Sequence, residues 1–371
     1  MCKILFLSNH FITLHSFRKE MILSMVNAGH EVYLSLPEDK DNEYFERIGC
    51  KIILTNISRR GINPFKDARL IKDYRKIIKQ LQPDIIFSFT IKPNIYGTIA
   101  SNSTGHKQVC NITGTGATFL KKSLVSTVCM MLYKMSVKRC YKVFFQNTGD
   151  RDFFVRHGMV LDNYEMLPGS GCNLEQHAYK PLPDTNHLNF IYIGRVMKLK
   201  GIDEYLECAK RIKEKYPNTT FYIAGWNEEP EYMAKVEEAQ KKGWVEYIGF
   251  RKDIDRWIER CHCTILASYG GEGVPNVLLE SAATGRICIA SNINGSRDVI
   301  DDGKTGFLFE VGNSIDLTNK VERFIALSYE EKSAMGLAGR KKMEKEFDRN
   351  IVVQKYMKEL DFINKVEART I

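Results

Sequence analysis

The chain has 371 residues, of which 44% are hydrophobic and 27% are charged, and these values exclude disordered and fibrous proteins. The length is about twice that of a common single domain, so we expect two domains with separate cores. The net charge of +9 arises in residues 1–150, which hold 22 Lys and Arg against 11 Asp and Glu, whereas residues 151–371 hold 32 against 34.

The basic first part favours an anionic partner, such as a phosphate-bearing lipid or a membrane surface. Nucleic acid is less favoured because the chain has no compact basic motif with interleaved aromatic residues. The N-terminal run MCKILFLSNH has no small-residue cleavage site and is interpreted as a strand, not as a signal peptide. Ten cysteines without a CxxC pair indicate reduced thiols in a cytosolic protein. Adjacent ligands such as Cys261-His262-Cys263 rarely close a tetrahedral site, so we predict no metal.

The first half alternates short apolar runs with amphipathic stretches, which is typical of βαβ units and a buried parallel sheet. The predicted strands are 3–8, 31–36, 51–56, 84–89, 109–113 and 142–147. Predicted helices cover 16–28 and 66–81, and apolar residues recur at helical spacing in the second.

The segment 119–142 combines apolar residues with Lys121, Lys122, Lys134, Lys138, Arg139 and Lys142. Its most apolar run, 123–133, is too short to span a bilayer. As a single helix the segment would place Lys138 and Lys142 on the apolar side, so its two faces would not be cleanly separated. We therefore consider both a peripheral membrane contact and a core-packing helix.

A stretch rich in Pro, Gly and polar residues covers 167–187 and is predicted to connect two domains. The alternation then restarts, with predicted strands at 188–194, 219–225, 245–250, 263–268, 287–291 and 306–310. Predicted helices cover 202–216, 231–242, a segment from 253, 275–284, and a helical tail from 314 onward. The fold class is therefore α/β, with two doubly wound domains at 1–168 and 187–345 and a last helix at 346–371.

Motifs of several common enzyme classes are missing from the sequence. The loop after the first strand, NHFITLHSF, has no glycine, which disfavours a dinucleotide-binding fold of the usual kind. The chain has no G-x-x-x-x-G-K-[ST] and no G-x-S-x-G, which disfavours P-loop hydrolases and serine hydrolases. Ligands of doubly wound sheets bind at the carboxyl ends of the strands, so the loops that follow strands are the ones to search.

Two such loops in the second half contain residues suited to a nucleotide. Gly194-Arg195 is followed by VMKLKG, whose Lys200 and Gly201 suit a pyrophosphate, because arginine offers a fork and lysine a point charge. In YGGEGVPNVLLESAATG, residues 269–285, glycines expose backbone amides and Pro275 suits the first position of a helix. Glu280, one turn into that helix, is placed to accept hydrogen bonds from vicinal hydroxyls such as those of a ribose.

These two loops, with the E-x7-E spacing of Glu272 and Glu280, resemble the C-terminal domain of family-4 retaining glycosyltransferases. The resemblance implies a GT-B fold, in which two Rossmann-like domains face a cleft and a C-terminal helix crosses back toward the N-terminal domain. It implies a UDP-sugar donor and no metal or other cofactor. It assigns the diphosphate and the leaving-group charge to Arg195 and Lys200, and the ribose to Glu280. The remaining donor-side residues are implied to be Glu272, Gly273, Val274, Pro275 and Asn276 for the transferred sugar, Phe250 and Arg251 near the base, and the loop 292–298.

The acceptor side departs from the family pattern. Thr113 and Gly114 stand where several relatives have a histidine, so the family's catalytic histidine cannot be assigned here. The segment SRRGINPF, residues 58–65, is similar to one in bacterial enzymes that extend a sugar on polyprenyl diphosphate, including those of bacterial protein N-glycosylation. The candidate acceptor residues are His10, His15, Arg18, Arg59, Arg60, Thr113 and Gly114.

The resemblance therefore predicts transfer of a hexose or N-acetylhexosamine from a UDP-sugar to a polyprenyl-diphosphate-linked sugar, in the assembly of a bacterial surface polysaccharide or glycan. The protein is expected in the cytoplasm, in peripheral contact with the inner face of the membrane. Two alternatives stay open. A UDP-sugar epimerase with the same two-domain layout would need no acceptor, and a non-catalytic subunit would bind the nucleotide sugar or the lipid without transfer.

Overall fold

The structure is a computed structural model and describes residues 1–57, 63–119 and 123–367. The chain forms two compact units, one of Met1–Ser170 with Asn350–Ile371 and the other of Gly171–Arg349. Among the described residues, none of the helices combines the length and the apolar character required to cross a bilayer.

The first unit is built on a parallel sheet. Its strands are β1 (Lys3–Leu7), β2 (Glu31–Leu36), β3 (Lys51–Leu54), β4 (Ile85–Phe89), β5 (Gln108–Ile112), β6 (Lys142–Phe145) and β7 (Tyr164–Met166). In the described residues they lie in the order β3-β2-β1-β4-β5-β6-β7, and all pairs are parallel. The order reverses beside β1, which is the topology of a doubly wound sheet.

Helices cover both faces of this sheet, because the central strands are apolar on both sides. They are α1 (Phe11–Asn27), α2 (Glu43–Arg47), α3 (Pro64–Leu81), α4 (Ile91–Thr104), α5 (Leu124–Ser136) and α6 (Thr148–Arg156). The start of α3 follows from its sequence. The side chain of Asn63 accepts hydrogen bonds from the amides of Phe65 and Lys66. Pro64, at the first helical position, has no amide hydrogen that would need a partner.

Several of these helices differ from the sequence prediction, which contained no α2 or α6, and the differences at α1 and α4 have a clear physical reason. The helix α1 begins at Phe11, five residues early, because the ring of His10 caps it by accepting from the amide of Ile12 at 3.0 Å. The helix α4 was not predicted at all. Its sequence, IKPNIYGTIASNST, contains Pro, Gly and several weak helix formers, and it is stabilised by burial of residues on most of its circumference.

The second unit repeats the plan. Its strands are β8 (Leu188–Ile193), β9 (Thr219–Ala224), β10 (Glu246–Gly249), β11 (Cys263–Leu266), β12 (Ile287–Ser291) and β13 (Gly306–Phe309). Its helices are α7 (Ile202–Lys215), α8 (Pro230–Lys241), α9 (Ile254–Arg260), α10 (Asn276–Ala283), α11 (Asn294–Val299), α12 (Ser314–Ala326) and α13 (Tyr329–Glu346). The strand order is β10-β9-β8-β11-β12-β13. The predicted α/β class with two doubly wound units is confirmed.

The predicted connection was 167–187, and its residues 171–187 belong to the second unit. The amide of Cys172 donates to the carbonyl of Phe347 at 2.7 Å, and the guanidinium of the buried Arg286 donates to the carbonyls of Lys180 and Pro181. Side chains and loops of the second unit provide the hydrogen-bond partners of the segment's backbone groups. The segment therefore needs no helix or strand of its own, and its sequence shows no regular periodicity.

The last helix, α14 (Arg349–Glu367), belongs to the first unit although it follows the second in the chain. Val352, Tyr356 and Leu360, spaced by four residues, are buried in the same apolar cluster as the inner residues of β1 and β4. The hydroxyl of Tyr356 hydrogen-bonds the side chain of Asn111 at the end of β5. The chain therefore completes its first core with its last residues.

Candidate active site

The loops after β8, β9, β10 and β11 lie at one edge of the second sheet, because the strands are parallel and adjacent. The loops after β8 and β9 are paired, since the amide of Val196 donates to the carbonyl of Trp226 at 2.9 Å. Gly225 makes this approach possible. A β-carbon on Gly225 would lie 1.7 Å from the carbonyl oxygen of Gly194, so a larger residue would force the loops apart.

A pocket of about 300 Å³ opens between these loops. Its lining residues are Ile193, Gly194, Arg195, Lys200, Ala224, Gly225, Trp226, Phe250, Arg251 and Ile254. It joins cations from the loop after β8 to aromatic rings from the loops after β9 and β10. Such a combination suits a ligand with a flat ring at one end and phosphate groups at the other.

Lys200 and Arg195 both contact carboxylates in this structure. The Nζ atom of Lys200 lies 2.8 Å from Oε1 of Glu272, and Nη1 of Arg195 lies 3.5 Å from Oε1 of Glu228. The hydroxyl of Tyr192 donates to the carbonyl of Arg195 at 2.7 Å and so fixes the backbone of the loop. Both cations are partly exposed, so they remain accessible to an anionic ligand.

Glu272 is ionised in this setting. Burial opposes its ionisation, but Lys200, the side chain of Ser268 and the charge of Arg195 together hold the pKa of Glu272 below its usual value. The loops also share backbone contacts, because the amide of Tyr269 donates to the carbonyl of Leu199 at 3.0 Å. The glycine-rich loop of residues 269–275 is thereby fixed to the loop that holds Lys200.

The helix after this loop begins one residue later than predicted. Pro275 is the residue before the helix, with φ −67° and ψ 115°, and α10 starts at Asn276. The extended ψ of Pro275 takes it out of the helical region, which corrects its placement at the first helical position. Val274 is buried, and a β-carbon on Gly295 of α11 would lie 1.7 Å from the carbonyl oxygen of Gly273. The 292–298 segment therefore contacts the glycine-rich loop.

Glu280 is partly buried in the second turn of α10. Burial raises the pKa of Glu280 to about 7, with a further increase from Asp255 and a decrease from Arg349. Asp255 is adjacent to Ile254, which lines the pocket, so Glu280 lies near the same edge of the sheet. Its carboxyl group is available for hydrogen bonds to a hydroxylated ligand.

This pKa predicts a pH dependence of stability. Because the folded value exceeds the usual 4.5, the folded state retains a proton that the unfolded state releases, and the free energy of unfolding falls as pH rises from about 4.5 through about 7. Glu280→Gln removes this loss. In thermal unfolding, the melting temperature of the variant relative to that of the wild type is therefore expected to rise between about pH 5 and about pH 8. A melting-temperature difference that is the same at both pH values would contradict the assignment.

The aromatic part of the pocket contains one residue that sequence reasoning missed. The rings of Trp226 and Phe250 have centroids 5.6 Å apart at an angle of 58°, and they are 41% and 58% exposed. The guanidinium of Arg251 contacts the carboxylate of Asp253 through two hydrogen bonds of 2.9 and 3.0 Å. Trp226 follows the strand β9 directly after Gly225, and this position after a strand was the available signal.

Of the candidate acceptor residues, His10 follows β1 and Thr113 and Gly114 follow β5, so these three lie toward one edge of the first sheet. Arg18 is 2% exposed, with its guanidinium 5.1 Å from the ring centroid of Phe89, and so packs into the core. His10 caps α1, as described above. Thr113 and Gly114 are partly exposed in the loop after β5. Arg59 and Arg60 lie outside the described residues.

His15 packs its ring against those of Phe11 and Tyr44, with centroids 4.9 and 4.6 Å away. Burial and the charge of Lys19 lower the pKa of His15. Its imidazole is therefore neutral at pH 7. Across the described residues, no group of three or more His, Cys, Asp or Glu side chains is arranged to hold a metal ion.

Two protein-family models match the chain, one in each unit. The model described as "Glycosyl transferase 4-like" matches residues 3–147, and the model described as "Glycosyl transferases group 1" matches residues 175–342. Both matches cover most of the unit in which they fall. The second one contains every pocket residue.

Curated relatives match over most of the chain. The N,N'-diacetylbacillosaminyl-diphospho-undecaprenol alpha-1,3-N-acetylgalactosaminyltransferase of Campylobacter jejuni is 27% identical, over 97% of this chain and 98% of the relative. The UDP-Gal:alpha-D-GlcNAc-diphosphoundecaprenol alpha-1,3-galactosyltransferase of Escherichia coli is 26% identical, over 69% of this chain and 70% of the relative.

Solved structures share the fold. HepE of Anabaena, solved in complex with UDP and glucose, has a TM-score of 0.80 at 16% identity over 97% of this chain and 100% of that one. A glycosyltransferase of Rickettsia africae has a TM-score of 0.81 at 18% identity over 98% and 99% of the two chains. With its two doubly wound units and the family matches to both of them, the chain belongs to the two-domain glycosyltransferases of the GT-B fold.

Proposed function

We propose that the protein transfers a hexose or N-acetylhexosamine from a UDP-sugar to a sugar on a polyprenyl diphosphate, with retention at the anomeric carbon. The observation that carries the donor assignment is the pocket that joins Trp226 and Phe250 to Arg195 and Lys200. The acceptor class is supported by the two curated relatives, whose names both specify a sugar on diphosphoundecaprenol. We place the reaction at the cytoplasmic face of a bacterial membrane, in surface polysaccharide or glycan assembly.

In this proposal the donor extends from the aromatic rings to the glycine-rich loop. The uracil stacks beside Trp226 and Phe250, and the ribose hydroxyls donate to Glu280. The diphosphate accepts hydrogen bonds from Arg195 and Lys200, and Glu272 with the amides of residues 273–276 holds the transferred sugar. This order matches the order of the chemical groups along a UDP-sugar.

In the proposed reaction the bond between the anomeric carbon and the diphosphate oxygen breaks, and its electron pair stays on the diphosphate. Arg195 and Lys200 stabilise that developing charge. The acceptor hydroxyl attacks the anomeric carbon on the face that the diphosphate leaves, and its proton passes to a phosphate oxygen. The new glycosidic bond keeps the configuration of the old one.

The ion pair with Glu272 holds the ammonium group of Lys200 in the site before the donor binds. A diphosphate carries more negative charge than the carboxylate and can share the ammonium group with it. Because Arg195 and Lys200 supply the charge that a divalent ion would otherwise provide, we propose that transfer needs no metal. Activity is expected to persist after treatment with EDTA, and loss of activity that Mg²⁺ or Mn²⁺ restores would contradict this part.

The proposed position of the uracil beside Trp226 leads to a separate prediction. Loss of one stacking partner costs about 1–3 kcal/mol of binding free energy, so Trp226→Ala is expected to weaken UDP binding by about 5- to 150-fold. Trp226→Phe keeps a ring and serves as the matched control, with most of the affinity retained. Isothermal titration calorimetry with UDP measures both. An alanine variant that binds UDP as well as the wild type would remove Trp226 from the base site.

A panel of UDP-sugars with polyprenyl-diphosphate-linked sugars, followed by mass spectrometry, tests the proposal as a whole. A product heavier than the acceptor by one sugar residue is the expected result. Conversion of the donor without acceptor would identify an epimerase. Binding of the donor with neither transfer nor hydrolysis would identify a non-catalytic subunit.

A further inference from the structure

The helix α5 presents an apolar face to solvent. Leu124, Val128, Met131 and Met135 are 81%, 36%, 61% and 62% exposed, and their spacing places them on one side of the helix. We call these four residues the α5 face. Large apolar side chains that are exposed singly are common, but four of them in one stripe mark an interaction surface.

The orientation of this face is fixed by the opposite side of the helix. Cys129 and Tyr133 are buried, and the ring of Tyr133 packs 5.1 Å from that of Phe154. A capping box of Ser123 and Ser126 defines the start of the helix. Rotation that would bury the α5 face would therefore expose Tyr133 and break this packing.

The face is free of charge, contrary to the expectation for a single long helix. The helix α5 ends at Ser136, a 3-10 turn covers Val137–Arg139, and Lys142 begins the strand β6. Lys142 contacts the carboxylates of Glu359 and Glu165. Lys138 and Lys142 thus lie outside α5, and its apolar and polar sides are separated.

The surroundings of the α5 face are cationic. Residues 85–149 contain no Asp or Glu and hold eight Lys and Arg, of which Lys134 and Arg139 are exposed beside the face. The acids that act on α5 side chains, Asp67 on Cys129 and Asp150 on Tyr133, are both buried. An apolar stripe flanked by exposed cations complements a surface that has an apolar interior and anionic headgroups.

We propose that the α5 face inserts into the surface of a membrane that contains anionic lipids. Leu124, Met131 and Met135 enter the boundary between headgroups and acyl chains, while Lys134 and Arg139 contact lipid phosphates. The inference extends the proposed function, whose acceptor is a membrane lipid. It would hold this protein at the surface where that acceptor lies.

Vesicle binding of the full chain, without donor or acceptor, tests the inference. Wild type is expected to sediment with phosphatidylcholine vesicles that contain phosphatidylglycerol, and to bind pure phosphatidylcholine vesicles more weakly. The variant with Leu124→Gln, Met131→Gln and Met135→Gln is expected to lose at least about tenfold in partition, because three apolar groups leave the interface. Lys134→Gln and Arg139→Gln are each expected to cost about fivefold on anionic vesicles.

The matched control carries Leu161→Gln, Ile315→Gln and Phe362→Gln, at side chains that are 55%, 58% and 54% exposed elsewhere on the chain. It is expected to bind vesicles like the wild type. Equal binding by the two triple variants, or a wild type that does not bind anionic vesicles, would overturn the inference. So would a wild-type dimer that the α5 variant converts to monomer without any vesicle binding, since the face would then meet a second copy.

Circular dichroism and UDP calorimetry on the same proteins separate this inference from the proposed function. The α5 variant is expected to keep its fold and its UDP affinity. If UDP binds and vesicles do not, only the membrane surface is wrong. If vesicles bind and UDP does not, only the donor assignment is wrong.

Discussion

Lys200→Ala is expected to lower the turnover number by on the order of a hundredfold or more, because it removes a cation from the developing charge of the leaving diphosphate. Lys200 lines the pocket and is held 2.8 Å from Glu272, so its ammonium group is oriented before a ligand arrives. An interaction that strengthens as the charge develops acts on the transition state more than on the bound donor. Turnover should therefore fall more than UDP affinity.

The neighbouring Lys198 provides the matched control. It lies in the same 3-10 turn, but its side chain is exposed and is not among the pocket residues. Lys198→Ala is expected to change turnover by less than about threefold, since an exposed charge outside the site contributes little. Steady-state kinetics on both variants separates the two positions. Equal losses at Lys198 and Lys200 would mean that the loop needs only positive charge, and unchanged turnover at Lys200 would remove it from the mechanism.

Gly201→Ala is expected to have the largest effect on stability of the changes considered for the second unit. Gly201 has φ +71°, and a β-carbon there would lie 2.0 Å from the carbonyl oxygen of Ala267. The left-handed backbone costs about 1–2 kcal/mol for alanine, and the forced shift of packed atoms about 1–3 kcal/mol more. A total of about 2–5 kcal/mol should lower the melting temperature by several degrees or more.

Gly243→Ala separates the two contributions to that cost. Gly243 has φ +73°, but a β-carbon there meets no atom within 4 Å. Its substitution is expected to cost only the backbone part, about 1–2 kcal/mol. The reduced entropy of the unfolded chain helps both variants alike and cancels in the comparison. Equal stabilities in urea unfolding would show that the contact with Ala267 relaxes without cost.

Gly201→Ala should also affect transfer more than stability alone requires. Gly201 directly follows Lys200 and comes before the first residue of α7. A displacement of Gly201 from Ala267 moves the ammonium group of Lys200 relative to Glu272, and small displacements of a charged group in a site reduce its effect on the reaction strongly.

Much of the fold could be predicted from periodicity because the strands of parallel sheets are continuous apolar runs. The strands β2 and β12 were predicted at their observed bounds, and the other predicted strands differ by a few residues at their ends. The helix α4 was not predicted because its sequence has low helix propensity. In the folded protein, burial of its side chains outweighs that low propensity. The strand β7 was not predicted because its three residues are too few to show a periodic pattern.

The candidate site divides in the same way. The loops with Arg195, Lys200 and Glu272 could be identified because glycines, cations and an acid stand together after strands. Trp226 was missed because a single tryptophan after a strand has no distinctive spacing. It becomes part of the site only because the loops after β8 and β9 approach each other at Gly225.

The sequence by itself determined the α/β class, the two doubly wound units and the loops that hold the cations, since alternation, glycine and charge are local patterns. Only the tertiary structure decided that Lys200 contacts Glu272, that burial raises the pKa of Glu280 to about 7, and that Arg18 lies in a core. It also separated the α5 face from Lys138 and Lys142 by ending the helix at Ser136. Contacts, burial and helix ends depend on residues distant in the chain, and one sequence does not state which of them meet.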